Sequence, residues 1–95
     1  MAEIKPITCY RITDHAHQEM TRRQITEEDV AKVLAAPEQI EFVREGRAVY
    51  QSRLPSGEPP KMYLLRVLVD VDRVPPAVVT VYRTSKVAKY WRTGG

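Results

Sequence analysis

An α+β fold, with a helical hairpin laid on an antiparallel sheet, follows from three features of the sequence. Two short runs between residues 13 and 37 carry apolar side chains at helical spacing. From residue 40 to residue 84 the pattern changes to alternation, and Gly- and Pro-bearing turns divide the alternating runs. The predicted order is β-α-α-β-β-β-β, with the helices covering one face of the sheet.

Ile7 to Ile12 (ITCYRI) is rich in β-branched and aromatic residues and is expected as the first strand, with Pro6 at its start. In the first helix Ala16 and Met20 share a face, His15 falls in the first turn, and Arg22 and Arg23 close the negative end of the dipole. The second helix opens on a Thr-x-x-Asp capping box, Thr26-Glu27-Glu28-Asp29. Ile25 before the cap and Val30 at the fourth helical position are placed to form a hydrophobic staple. Val30, Val33 and Leu34 continue the apolar face, and Pro37 ends the run.

Beyond Pro37, Ile40 and Phe42 point one way and Glu41 and Val43 the other, with a turn at Glu45-Gly46. Arg47 to Leu54 returns as the second arm of a hairpin, placing Ala48, Tyr50, Ser52 and Leu54 on one face. The stretch PSGEPP, residues 55–60, is turn chemistry. Lys61 to Asp72 reads as a central strand: Tyr63, Leu65, Val67, Val69 and Val71 fill one face, while Met62, Leu64 and Leu68 make the other partly apolar. Arg73-Val74-Pro75-Pro76 turns the chain into a last strand, Ala77 to Thr84. Lys86 to Arg92 (KVAKYWR) is a short helix or an extended tail; a helix would line Lys86, Lys89 and Arg92 along one ridge.

At 95 residues, the chain is expected to form one domain spanning 1–95. Its composition, 43% apolar and 28% charged, is that of an ordinary globular protein rather than a disordered one. No apolar run approaches the length of a membrane span, and MAEIKPITCYR does not read as a secretion signal. The single Cys9 permits no internal disulfide and is expected as a small packing residue; the expected location is cytoplasmic. The net charge of +3 is segregated. After Asp72 there is no carboxylate side chain, while Arg73, Arg83, Lys86, Lys89 and Arg92 follow. Such a segment suits a polyanion (RNA, DNA or an acidic protein tail), or is simply a solvated basic surface.

There is no Gly-rich phosphate loop, no His-Glu-x-x-His helix and no Gly-x-Ser-x-Gly elbow. His15 and His17, two positions apart on a helix, face different ways and are poor joint metal ligands, so a function without metal or cofactor is expected. His15 is a candidate general acid or base, or else a residue that fixes the start of the helix; His17 is expected to face solvent. Arg83 could clamp a phosphate and stabilise a phosphoryl transition state, or be a surface arginine paired with an acid. Tyr90 and Trp91 interleave with Lys89 and Arg92, an arrangement that suits unpaired bases or anchors the tail to the core.

His15-Ala16, Met20, Arg23-x-Ile25-Thr26, the acidic capping turn, Val30 and a meander ending TVYRTSK resemble a small bacterial family of unknown function. Its members read roughly His-Ala-x-x-Arg-Met-x-x-Arg-x-Ile-x-x-x-x-Val, and it is similar to the RelE/ParE toxin superfamily with its BrnT-type members. The resemblance runs from about Tyr10 to Thr84. It implies a toxin-like component of a toxin–antitoxin system, in most such proteins a ribonuclease that cuts mRNA, often on the ribosome, and is held inactive by a cognate antitoxin. His15, Arg23 and the Arg83 region map position by position, whereas Glu19 stands where relatives often carry arginine.

The expectation is a metal-free endoribonuclease of the mRNA interferase type, in which a ribose 2′-hydroxyl attacks the adjacent phosphate. His15 or Lys86 would move the proton, Arg83 would stabilise the phosphorane, Tyr90 or Trp91 would stack a base, and Arg23, Lys89 and Arg92 would hold RNA. The alternative is a non-enzymatic binder: a ParE-like gyrase inhibitor, or an inert module binding nucleic acid or protein, with His15 structural. A third reading is an accessory domain that assembles as a homodimer through the exposed sheet edge.

Overall fold

In the computed structural model, which describes residues 6–91, the chain runs β1 (Arg11–Ile12), α1 (Asp14–Arg23), α2 (Glu27–Ala35), β2 (Gln39–Arg44), β3 (Arg47–Ser56), β4 (Lys61–Asp70), β5 (Ala77–Thr84) and α3 (Val87–Tyr90). The fold is α+β. One five-stranded sheet has the order β1-β5-β4-β3-β2, with β1 parallel to β5 and every other pair antiparallel.

Both main helices begin at a threonine. Thr13 Oγ1 accepts the Ala16 amide at 3.2 Å, and Thr26 Oγ1 accepts the Asp29 amide at 3.1 Å, each satisfying an otherwise orphaned donor. Gln24 takes the left-handed conformation (φ 56°) that ends α1. Its amide caps Met20 and Thr21 carbonyls, and only two residues then separate α1 from the Thr26 cap. Ile25 and Val30 are both buried in the core, where the staple places them.

Helix α1 lies over β5, and α2 over β3 and β4. Between the layers sit Ala16, Met20, Val30, Val33 and Leu34 from the helices and Ala48, Tyr50, Leu65, Val67, Val69, Val78 and Val81 from the sheet. Strand β4 is apolar on both faces, as a central strand must be, with Leu64 fully buried on the side away from the helices.

Several expectations change at the margins. The first strand has only two residues: Ile7 instead donates its amide to the Leu34 carbonyl (2.7 Å), so the segment before Tyr10 runs along α2 rather than in the sheet. Cys9 therefore lies outside any strand and is exposed, not packed. Strand β3 continues through Pro55 and Ser56, leaving only residues 57–60 as the turn. Strand β4 ends at Asp70 because the Val71 amide turns to the Gly46 carbonyl in the neighbouring turn. That turn needs glycine, since Gly46 has φ +82° and a Cβ there would meet the Asp72 carboxylate at 2.6 Å. Phe42, expected to alternate with Val43, is exposed at the sheet edge as Val43 is, and the register shifts between Phe42 and Arg44. Residues 87–90 form one helical turn rather than an extended tail.

A bulge in β5 matters most. Leu68 pairs with Thr80 and Val69 with Val78, so Val79 is the extra residue. The bulge puts Val78 on the helix side and then Val81 and Arg83 on that same side, while Thr80, Tyr82 and Thr84 face away. Arg83 pairs directly with Leu65, a core residue. No helix among the described residues is long and apolar enough to cross a membrane.

Candidate nucleic-acid interface

The residues singled out from the sequence occupy three separate places. His15 is exposed in the first turn of α1, whose start is fixed by the Thr13 amide bonding the Val78 carbonyl (3.0 Å) at the head of β5. The last residues of α1, Arg22 and Arg23, line a hollow with Gln24 and Arg83 at the tail of β5. Helix α1 thus runs along β5, with His15 at one end and Arg83 at the other. Eight residues at 1.5 Å each put roughly 12 Å of helix between His15 and Arg23. The two groups that a shared acid–base and phosphate site requires are not adjacent.

Arg83 is half-buried, and no carboxylate among the described residues lies within ion-pair distance of it. Its guanidinium carbon lies 5.8 Å from the Tyr63 ring centre. The nearby arginines are held differently. Glu19, mostly buried, bonds Arg22 and reaches Arg23 at 3.4 Å, so this one acid ties both arginines to the helix. Lys61, at the same end of the meander, lies 6.0 Å from the same Tyr63 ring.

Arg83 is also the junction with a second, deeper cleft of about 230 Å³ between the α1–α2 corner and the ends of β3 and β4. Ile25, Leu54, Leu65 and Tyr63 form its apolar walls, with Asp29, Lys32 and Ser56 contributing polar groups. The arrangement can hold an anion on the guanidinium side and a flat apolar group beside it.

The C-terminal aromatics lie on the opposite face of the sheet. The Arg66 guanidinium sits 4.3 Å from the Tyr90 ring centre, and that of Arg53 sits 4.1 Å from Trp91. Tyr90 also meets Tyr82 edge-on at 6.5 Å, and its carbonyl accepts from Gln51 Nε2 at 3.3 Å. One ring face of each expected base-stacking residue is therefore occupied by an arginine of the sheet. Lys89 Nζ lies 5.4 Å from the Tyr90 ring centre, while Lys86 is exposed, its amide bonded to Thr84 Oγ1. Arg92 lies outside the described residues.

This second face is built on Arg66, which reading the sequence missed. Arg66 donates to Gln51 Oε1 (3.0 Å) and Tyr82 Oη (2.6 Å), and Glu41 approaches to 4.0 Å. The visible signal was an arginine inside the otherwise apolar run Met62 to Val69, where a charge must find partners. His17, expected to face solvent, is exposed but bonds Glu27 at 3.3 Å. The two share a shallow hollow with Cys9 and Tyr10, whose phenol is pushed up by burial and by the Glu27 charge.

The architecture and the Arg83 site define the class: a small α+β domain with a helical hairpin over one sheet face and a basic cleft at the hairpin's corner. The chain belongs to a domain-of-unknown-function family, DUF4258, whose profile matches residues 12–83. No curated protein and no solved structure matches it.

Proposed function

We propose that the protein is a toxin-like RNA-binding domain whose phosphate anchor is Arg83, flanked by Arg22 and Arg23. The observation that carries this reading is the basic hollow itself: an arginine free of any ion pair among the described residues, opening beside an apolar cleft. Structural arginines are normally paired, and an unpaired guanidinium beside two others attracts a multivalent anion. The sequence resemblance to the RelE/ParE toxins, with the β-α-α-β-β-β-β order it implies, supports the toxin-like part of the proposal. An antitoxin would act by covering this same corner.

A binder is favoured over the shared-site ribonuclease by one observation. His15 lies a helix length from Arg83, so its imidazole and the anion site do not converge. The endoribonuclease reading keeps Arg83 to stabilise the phosphorane but must take its base from the Arg83 end of the molecule, where Lys86 follows β5.

The test is binding of single-stranded RNA by wild type, Arg83→Ala and His15→Ala, with cleavage and growth inhibition followed alongside. Arg83→Ala should weaken binding about tenfold and lower the slope of log K against log salt by about 1, while His15→Ala leaves both unchanged. RNA binding that is unaffected by Arg83→Ala sinks the proposal. Cleavage abolished by Arg83→Ala or Lys86→Ala would establish the enzyme in place of the binder.

A further inference from the structure

We infer that the cleft next to Arg83 is a base pocket that takes an unpaired guanine of the bound RNA, read by the carboxylate of Asp29. This rests on the proposal that Arg83 anchors an RNA phosphate, and it names what that site selects. At about 230 Å³ the cleft is small for an extended ligand and fits a single planar heterocycle. Leu65 and the ring of Tyr63 give that heterocycle an apolar bed, and Arg83 lines both the cleft and the basic hollow, so the guanidinium that anchors the phosphate also borders the base pocket.

Asp29 decides which base enters. It is half-buried on the cleft and belongs to none of the ion pairs among the described residues. Its cap contact uses only the backbone amide, so both carboxylate oxygens are available to a ligand. An ionised carboxylate only accepts hydrogen bonds, and it does so best from two parallel donors. Guanine presents such a pair, the ring N1–H beside the exocyclic amino group. Adenine and cytosine set one amino group beside a ring acceptor, and uracil flanks its single N–H with two carbonyls. Each of these turns an acceptor towards Asp29. The arginine side of the cleft and the carboxylate side therefore match the phosphate and the Watson–Crick edge of one nucleotide.

The experiment is fluorescence anisotropy with short oligouridylates carrying a single central G, A, C or U, using the full chain and its Asp29→Asn, Tyr63→Leu and Arg83→Ala variants. Circular dichroism confirms that each variant is folded. Wild type should bind the G-containing strand about tenfold more tightly than the others. Asp29→Asn should erase that preference, so that the G-containing strand binds no more tightly than the other three, and Tyr63→Leu should weaken all strands by a few-fold. Equal binding of all four strands overturns the inference but leaves the RNA-binding proposal standing. So does a G preference that survives Asp29→Asn, or an Asp29-dependent preference for C. Absence of any RNA binding by the wild type overturns both.

Discussion

Arg66 shows how a single buried charge organises a face. It lies among Leu64, Leu65 and Val67 on a central strand, where an unpaired cation would be prohibitively costly. Hydrogen bonds to Gln51 and Tyr82, with the Tyr90 ring across its plane, satisfy it. Arg66→Ala should destabilise the protein by about 2–4 kcal/mol in urea denaturation, because it leaves two polar partners short and opens a void. A second pair contributes to the response to acid. Arg47 Nε bonds Asp70 Oδ1 at 2.7 Å, and this bond holds the Asp70 carboxyl below its ordinary 3.8. A depressed carboxylate contributes stability that is present above its unfolded value and lost as pH falls through its folded value. The melting temperature should therefore drop below about pH 4, and Asp70→Asn should lower it near neutrality and flatten that part of the profile.

At the scale of elements, the helical hairpin is held by its caps and by packing, since neither ten-residue α1 nor nine-residue α2 is long enough to be stable alone. Thr26→Ala removes the acceptor for the Asp29 amide and should cost about 1 kcal/mol in chemical denaturation; restoring it with Thr26→Ser should recover most of the loss. This prediction also bears on the site, because Asp29 and Ile25 flank the same cap and line the cleft. The third helix behaves differently. It is a single turn with no fully buried residue, held to the sheet by two arginine–aromatic contacts and the Gln51 bond.

For the whole molecule, the sheet divides two kinds of surface. The helix side carries the apolar core and, at its corner, the Arg83 cleft; the far side carries the Arg66 network under α3. Trp91 is the one tryptophan in the chain, so its fluorescence reports on the far side alone. It should change at lower urea than the far-ultraviolet circular dichroism, because α3 can lift while the core of Leu34, Val67 and Val81 stays closed. Coincident transitions would show instead that α3 folds as part of the core. Leu34→Ala, which opens a void at a fully buried position, should move both signals and cost about 2–5 kcal/mol.

The α+β order was legible in the sequence because it rests on local physics. The Thr26 cap, the Ile25–Val30 staple, the glycine at residue 46 and the alternation through β4 each act within a few residues. The position of Arg83 at the end of β5 was legible for the same reason. The side of the sheet that Arg83 faces was not, since it depends on the bulge at Val79, and a one-residue register shift exchanges every later side chain between faces. The separation of His15 from Arg83 depends on how α1 lies along β5, and the pairing of Tyr90 and Trp91 with Arg66 and Arg53 on where α3 docks. Those contacts join residues far apart in the chain and leave no local pattern, so the tertiary structure alone decided which of the basic and aromatic groups meet.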